Sequence, residues 1–158
     1  MSNILGNLHV IPALVPVDVG STGTEIMTDV IDAGEATELE FIIALGAITA
    51  DDTVIKVYSK ADTTASGGTA IAFNYKLSAA LGADTSGAWT AAVAASGVTL
   101  TATTDTNKTL RVSVDPRLCG PYVYLGINPG ESQTVGLYSV IALVVPSYSQ
   151  SVPPSMVN

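Results

Sequence analysis

Alternation between apolar and polar side chains is the feature of this sequence that most constrains its fold. Residues 69–79 carry large apolar side chains at every second position, namely Ile71, Phe73, Tyr75 and Leu77. Because successive side chains of a strand point to opposite faces of a sheet, this period of two predicts a half-buried strand. Residues 108–115 repeat the pattern and predict a second strand, whose inward side chains are Leu110, Val112 and Val114.

Further segments of the chain are also strand-like. Residues 37–45, 54–60 and 98–103 alternate or are rich in β-branched residues. Residues 122–127 and 135–145 are nearly continuous runs of β-branched and aromatic residues. Such runs are typical of central strands that are covered on both faces.

Turn signals separate these segments and set the fold class. Glycine supplies positive φ angles and proline presets φ, so pairs such as Ser96-Gly97 and Gly120-Pro121 mark turns. Helix has one weak candidate, in residues 78–83. With 158 residues the chain is the size of one domain. We therefore predict an all-β fold, an antiparallel, jelly-roll-like β-sandwich of about eight to ten strands with extended N- and C-terminal arms.

Proline marks both ends of the chain as arms. Pro12 and Pro16 exclude a central strand, and Pro153 and Pro154 favour an extended tail. The predicted parts are an N-terminal extended arm or edge strand (residues 1–20), a β-sandwich domain (21–146) and a Pro/Ser-rich C-terminal tail (147–158). Arms of this kind are either disordered tails or straps that lie on a neighbouring subunit.

Charge is scarce in this sequence. Only 13% of the residues are charged and 47% are hydrophobic, whereas an ordinary soluble domain has about 25% charged residues. The net charge is −8, and the six Lys and Arg residues form no run. We therefore expect no nucleic acid and no membrane as partner, since both attract clustered cations. A chain this poor in charge is expected to cover much of its exterior against other chains.

Few side chains suit catalysis or metal binding. His9 is the single histidine and Cys119 the single cysteine, so neither a Ser-His-Asp triad nor a zinc site is supported. Asp51, Asp52 and Asp62 leave calcium open, but the EF-hand pattern is missing and Asp51-Asp52 is more simply a turn. We expect no catalytic residue, no metal and no cofactor, and we do not expect an enzyme.

Aromatic residues leave sugar binding open as an alternative. The candidates for stacking on a sugar ring are Trp89, Tyr122, Tyr124, Tyr138 and Tyr148. Tyrosines that alternate along a strand belong more commonly to the core or to cross-strand pairs. A carbohydrate-binding or adhesin-type domain would instead present aromatic side chains on one exposed face of a sheet.

Short strings of residues spread over most of the chain form a recognisable set. They are Asn7-Leu8-His9-Val10-Ile11-Pro12, Val15-Pro16-Val17-Asp18, the strand 54–59, the turn Gly67-Gly68, Ile71-Ala72-Phe73-Asn74-Tyr75, Gly87-Ala88-Trp89-Thr90 and a last strand that closes at Pro146. Together they resemble small proteins encoded among the head genes of tailed bacteriophages. The resemblance implies a structural virion protein of the capsid decoration, or cement, type, made in the host cytoplasm and located on the outer capsid surface.

The same resemblance implies partners and a set of contacts. The partners would be the major capsid protein and the chain itself, as a homodimer or homotrimer. The residues predicted to make these contacts lie in the two arms: Leu8, Val10, Pro12, Leu14, Pro16, Tyr148, Pro153 and Pro154. The resemblance brings no catalytic residue with it. The alternatives are the carbohydrate-binding or adhesin-type domain and a head–tail joining or tail component.

Overall fold

Strands dominate the part of the chain that the structure describes. The computed structural model describes residues 8–20, 23–80, 83, 88–147 and 156–157. Its strands are β1 (His9–Asp18), β2 (Ile26–Met27), β3 (Val30–Asp32), β4 (Ala36–Thr49), β5 (Thr53–Lys60), β6 (Thr69–Ile71), β7 (Phe73–Leu77), β8 (Thr90–Ala92), β9 (Val98–Leu100), β10 (Thr109–Val114), β11 (Tyr122–Pro129), β12 (Val135–Pro146) and β13 (Met156–Val157). One 3₁₀ turn, Pro116–Leu118, lies between β10 and β11.

These strands form two antiparallel sheets. Sheet A has six strands in the order β1-β12-β4-β10-β7-β8. Sheet B has seven strands, with β13-β3-β11-β5-β6 as its main path, β2 paired to β11 and β9 paired to β5. Every one of these pairings is antiparallel. The predicted all-β, antiparallel sandwich is therefore confirmed.

The strand order is that of a jelly roll. Four antiparallel pairs are nested in the sequence: β1 with β12, β3 with β11, β4 with β10, and β5 with β6. Successive pairs alternate between sheet A and sheet B, as in a long hairpin rolled around a common interior. The chain inserts β7, β8 and β9 between β6 and β10. The expected jelly-roll character is thus present, with an insertion that widens sheet A.

The interior between the sheets is mainly apolar, and the alternation along β10 correctly predicted which residues of that strand face it. Leu110, Val112 and Val114 are all buried. They share one core cluster with Phe41 of β4 and with Val57 of β5, which comes from the opposite sheet. Burying one such side chain contributes about 1.5–3 kcal/mol, so this cluster holds the two sheets together.

Residues 69–79 do not form the single strand that their alternation predicts. The chain forms β6 in sheet B, passes through Ala72 and continues as β7 in sheet A. Both Ile71 and Phe73 still belong to the core or pack against it. The period of two is preserved because both strands face the same interior, so the pattern alone conceals the change of sheet. In the weak helix candidate, residues 78–80 are not helical, and residues 81 and 82 lie outside the described residues.

Of the two continuous apolar strands, only β11 is covered on both faces. Tyr124 of β11 points away from the core, yet it is fully buried. Its ring stacks on Tyr58 with the centroids 5.3 Å apart, and its hydroxyl accepts a 2.8 Å hydrogen bond from the N–H of Gly68. On β12, Leu137 and Ile141 are 43% and 41% exposed. The expectation of two covered faces is therefore wrong for β12 in the single chain.

Tyr58, which stacks on Tyr124 on the outer face of sheet B, makes the free energy of unfolding depend on pH. Its hydroxyl donates a 2.8 Å hydrogen bond to Oε1 of Glu25, and burial followed by this bond raises the pKa of Tyr58 to about 12. An unfolded tyrosine titrates near pH 10, so the stabilisation is complete below about pH 10 and is lost as pH rises through about 12. The difference in unfolding free energy between wild type and Tyr58→Phe should therefore be constant near neutral pH and decrease as pH rises from about 10 towards 12. Urea denaturation across this pH range measures it; a difference that stays constant up to the alkaline limit would contradict it.

The two ends of the described chain pair with sheet edges. β1 is an edge strand of sheet A and pairs with β12, from His9 opposite Val144 to Asp18 opposite Leu137. At an edge the missing N–H of a proline leaves no ladder bond unmade, so the strand tolerates its two prolines. Near the C-terminus, β13 pairs with β3 at an edge of sheet B.

Candidate interaction face

The outward positions of sheet A form one continuous face. Directly opposite residues of an antiparallel pair point to the same side, so the pairing sets side chains in rows across the strands. One row crosses from β1 to β7 in the order Pro12, Ile141, Ile42, Arg111, Lys76. The face therefore passes from apolar side chains at the β1 end to cationic side chains towards the β8 end.

Apolar side chains cluster on the β1, β12 and β4 part of this face. We define the apolar stripe as Val10, Pro12, Ile42, Leu137 and Ile141. Val10, Leu137 and Ile141 are 59%, 43% and 41% exposed. Leu137 lies over β4, because a Cβ built on Gly46 would come within 2.6 Å of the Leu137 Cβ. A contiguous exposed apolar patch is typical of an interaction site.

The other end of the face carries charged side chains and the only tryptophan of the sequence. Arg111 holds Glu40 through two hydrogen bonds, from Nε to Oε1 and from Nη2 to Oε2, the second at 2.8 Å. The Trp89 ring centroid lies 4.6 Å from Nζ of Lys76 and 5.6 Å from Cζ of Arg111. Each such cation–π contact contributes about 0.5–1 kcal/mol at an exposed site. Together these contacts fix the ring above β7 and β10.

The predicted contact residues of the N-terminal arm lie in β1 or directly before it. Leu8 and Leu14 are half-buried, and three residues are exposed: Val10, Pro12 and Pro16. Val10 and Pro12 belong to the apolar stripe. The predicted contact residues of the C-terminal tail lie outside the described residues: Tyr148, Pro153 and Pro154.

Sequence reasoning missed the part of the stripe that lies on β4 and β12. A continuous apolar run hides which of its alternate positions faces outward, so Ile141 was assigned to a covered strand. A usable signal lies on β4, where Ile42 has the same parity as Glu38 and Glu40. Because glutamates are almost never fully buried, that parity places Ile42 on the outward face.

The residues considered for metal or catalytic chemistry have structural partners. Asp51 and Asp62 accept hydrogen bonds from N–H groups of their own turns, those of Asp52 and Thr64, which is the turn role expected for Asp51-Asp52. Asp51 and Asp52 also accept hydrogen bonds from other loops, through the N–H groups of Ser132 and Ala102. Within the described ranges, no group of three or more His, Cys, Asp and Glu side chains is placed to hold a metal ion. Burial raises the pKa of the Cys119 thiol, whose Sγ donates to the carbonyl oxygen of Pro116, so the reactive thiolate is disfavoured.

The aromatic candidates for sugar stacking divide by burial. Tyr124 and Tyr138 are buried and Tyr122 is half-buried, as expected for core and cross-strand residues. Trp89 is 40% exposed on the outward face of sheet A. Tyr148 lies outside the described residues.

The part of the chain that the structure describes has no helix long and apolar enough to cross a membrane. No protein-family model and no curated protein matches the sequence. Two solved structures of infectious bursal disease virus, from strains Gt and Gx, contain chains that this one resembles, with 13% and 14% identity and TM-scores of 0.26 and 0.27. Each alignment covers 94% of this chain and 47% of the viral chain, so this chain spans about half the length of those it matches. TM-scores this low do not establish a shared fold.

Proposed function

We propose that this chain is a structural virion protein that decorates a bacteriophage capsid and stabilises it by bridging major capsid subunits. The observation that carries the proposal is the apolar stripe, which leaves Val10, Leu137 and Ile141 exposed on one face of sheet A. Exposing apolar side chains to water is unfavourable in free energy, and burying them against a partner removes this unfavourable contact.

The fold is compatible with this role without deciding it. Jelly rolls serve as viral capsid domains, but also as lectin domains, so the architecture alone leaves both classes open. The scarcity of charge supports an assembly role, since 13% charged residues is about half the ordinary share. The resemblance of the sequence to phage head proteins points in the same direction.

The contact is expected to involve the face of sheet A and not its edge. Pro12 and Pro16 remove N–H groups from β1, so this edge is a poor template for the addition of a strand from another chain. The outward side chains of β1, β12 and β4 remain as the apolar contact. A standard interface buries about 800 Å² on each partner, which one sheet face and an arm can supply.

Decoration stabilises a shell by mass action. A protein that binds across the junction of two assembled subunits, and not to the separated subunits, shifts the equilibrium towards the assembled state. A decoration protein therefore needs contact surface and no reactive groups. The apolar stripe provides such surface over three neighbouring strands.

Replacing Ile141 with aspartate tests this proposal. We expect Ile141→Asp to weaken binding to purified phage particles that lack the protein by at least about 30-fold, because burying an unpaired carboxylate in an apolar contact costs 2 kcal/mol or more. Co-sedimentation gives the affinity, and the melting temperature of the decorated particles gives the stabilisation. Leu118→Asp is the matched control, since Leu118 is 81% exposed in the 3₁₀ turn, away from the stripe.

Three outcomes would overturn the proposal. The first is wild-type protein that does not bind the particles. The second is Ile141→Asp protein that binds and protects them as well as wild type does. The third is a closed ring of many copies in native mass spectrometry, which indicates a head–tail joining or tail component instead of a dimer or trimer.

A further inference from the structure

A groove crosses the outward face of sheet A at the Trp89 end. It has a volume of about 580 Å³ and is lined by Trp89, Asn74, Glu40, Ser113, Arg117 and Leu143, among others. Ligand pockets commonly measure about 300–1,000 Å³, so the groove is large enough for a small ligand. Its lining combines one aromatic ring with several polar side chains and with apolar side chains that include Leu8, Leu143 and Val145 towards β1 and β12.

The Trp89 ring lies in this groove and offers a surface on which a ligand can stack. Lys76 and Arg111 are cross-strand neighbours on β7 and β10, so both cations reach the ring from the same sheet. The ring is 40% exposed, so part of its surface is accessible to a ligand. Because two cations contact the ring, stacking a ligand on its exposed surface requires little further ordering.

Polar side chains lie near the Trp89 ring on the outward face of sheet A. Asn74 is exposed beside Ser113, its register partner on β10. Glu40 lies opposite Ser113 on the other side and has its carboxylate oriented by Arg111. An amide, a hydroxyl and a fixed carboxylate offer both donors and acceptors, which is what the hydroxyl groups of a sugar require.

We propose that this groove binds a carbohydrate, with one sugar ring stacked on the open face of Trp89 and its hydroxyl groups bonded to Asn74, Ser113 and Glu40. A phosphate-bearing ligand fits less well, because Glu38 and Asp115 also line the groove and the chain has a net charge of −8. The proposal goes beyond decoration of a capsid, because it gives the same chain a second binding site, for sugars, on the outward face of sheet A.

The groove and the apolar stripe adjoin on the outward face of sheet A. Leu143, which lines the groove, is the register partner of Val10 in the stripe. The Trp89 ring lies over Lys76 of β7 and Arg111 of β10, and β10 is two strand spacings from β12, or about 10 Å at ~4.8 Å per spacing. Trp89 and Ile141 belong to different sites, so substitutions at these two residues test the two sites separately.

Intrinsic fluorescence gives a direct test, because Trp89 is the only tryptophan in the sequence. The full chain is titrated with three probes: maltohexaose, chitohexaose and the purified surface polysaccharide of the host bacterium. We expect a saturable change of emission with at least one probe, at a Kd of about 1 mM or tighter. Calorimetry with the same probe should show at least about tenfold weaker binding for Trp89→Ala and for Asn74→Ala, while Trp89→Tyr keeps part of the affinity.

Controls separate this proposal from the proposed function. Ile141→Asp should keep the sugar affinity while losing the particles, and Trp89→Ala should do the reverse. Circular dichroism should show unchanged folding for both, since each side chain is at least 40% exposed. The proposal is overturned if none of the three probes binds, if Trp89→Ala binds as tightly as wild type, or if the groove binds peptides from the capsid protein instead.

Discussion

Gly97→Ala should lower the free energy of unfolding by about 2–4 kcal/mol, because two independent effects add at this position. Gly97 has a φ of +65°, which costs an alanine about 1–2 kcal/mol. An alanine Cβ would also overlap the backbone carbonyl oxygen of Ile55 and come within 2.9 Å of Cγ of Lys56. Since a carbonyl in a sheet cannot swing away, β9 would have to move off β5, where Val98 pairs with Ile55.

Gly67→Ala is the matched control for this prediction. Gly67 has nearly the same φ, +67°, but nothing lies within 4 Å of its added Cβ. It should lose about 1 kcal/mol or less, since the restriction of the unfolded chain offsets part of the strain. Urea denaturation of both variants measures the difference. Equal losses at the two positions would contradict the argument, because they would leave the close approach of Gly97 to β5 without effect.

The sequence predicts the strands better than their partners. Alternation and runs of β-branched residues are local properties, so the inward positions of β10 and the existence of β4, β5, β11 and β12 followed from them. The nested pairing of β1 with β12 joins residues more than a hundred positions apart, and no local pattern carries that information. The change of sheet at Ala72 was hidden for a related reason: both strands present the same parity to one shared interior.

Of the candidate face, only the β1 part was predicted from the sequence, because its prolines indicate an arm or an edge strand. Pro12 excluded β1 from the centre of a sheet, and Val10 of the same arm, which is exposed on β1, was among the predicted contact residues. Ile141 could not be assigned in the same way, since a run of apolar residues does not show which face of the strand is exposed. Trp89 was recognised as an aromatic candidate, but its place over Lys76 and Arg111 depends on β7 and β10 being neighbours.

A buried polar cluster joins the two sheets and gives the second large prediction. Thr53 begins β5 in sheet B, and its Oγ1 lies 2.6 Å from the hydroxyl of Tyr138 on β12 in sheet A. Nε2 of Gln133 donates a 2.8 Å hydrogen bond to the same Oγ1. All three side chains are buried, and burial raises the pKa of Tyr138. A single hydroxyl therefore serves two polar groups that water does not reach.

Thr53→Val should lower the free energy of unfolding by about 2–4 kcal/mol, although valine fits an apolar interior better than threonine does. The substitution keeps the shape and removes the oxygen, so the Tyr138 hydroxyl loses its 2.6 Å partner at about 1–3 kcal/mol. The Gln133 amide loses its 2.8 Å bond and keeps longer ones to the carbonyl of Asp51 and the hydroxyl of Tyr138, at a further loss of about 0.5–1.5 kcal/mol. Thr53→Ser keeps the oxygen and loses one methyl group, for which about 1 kcal/mol is expected. Thermal and urea unfolding of both variants give the order. If valine proved as stable as wild type, or more stable than serine, the contact at this end of the sandwich would be apolar packing, and the hydrogen bonds would contribute nothing to holding sheet A against sheet B.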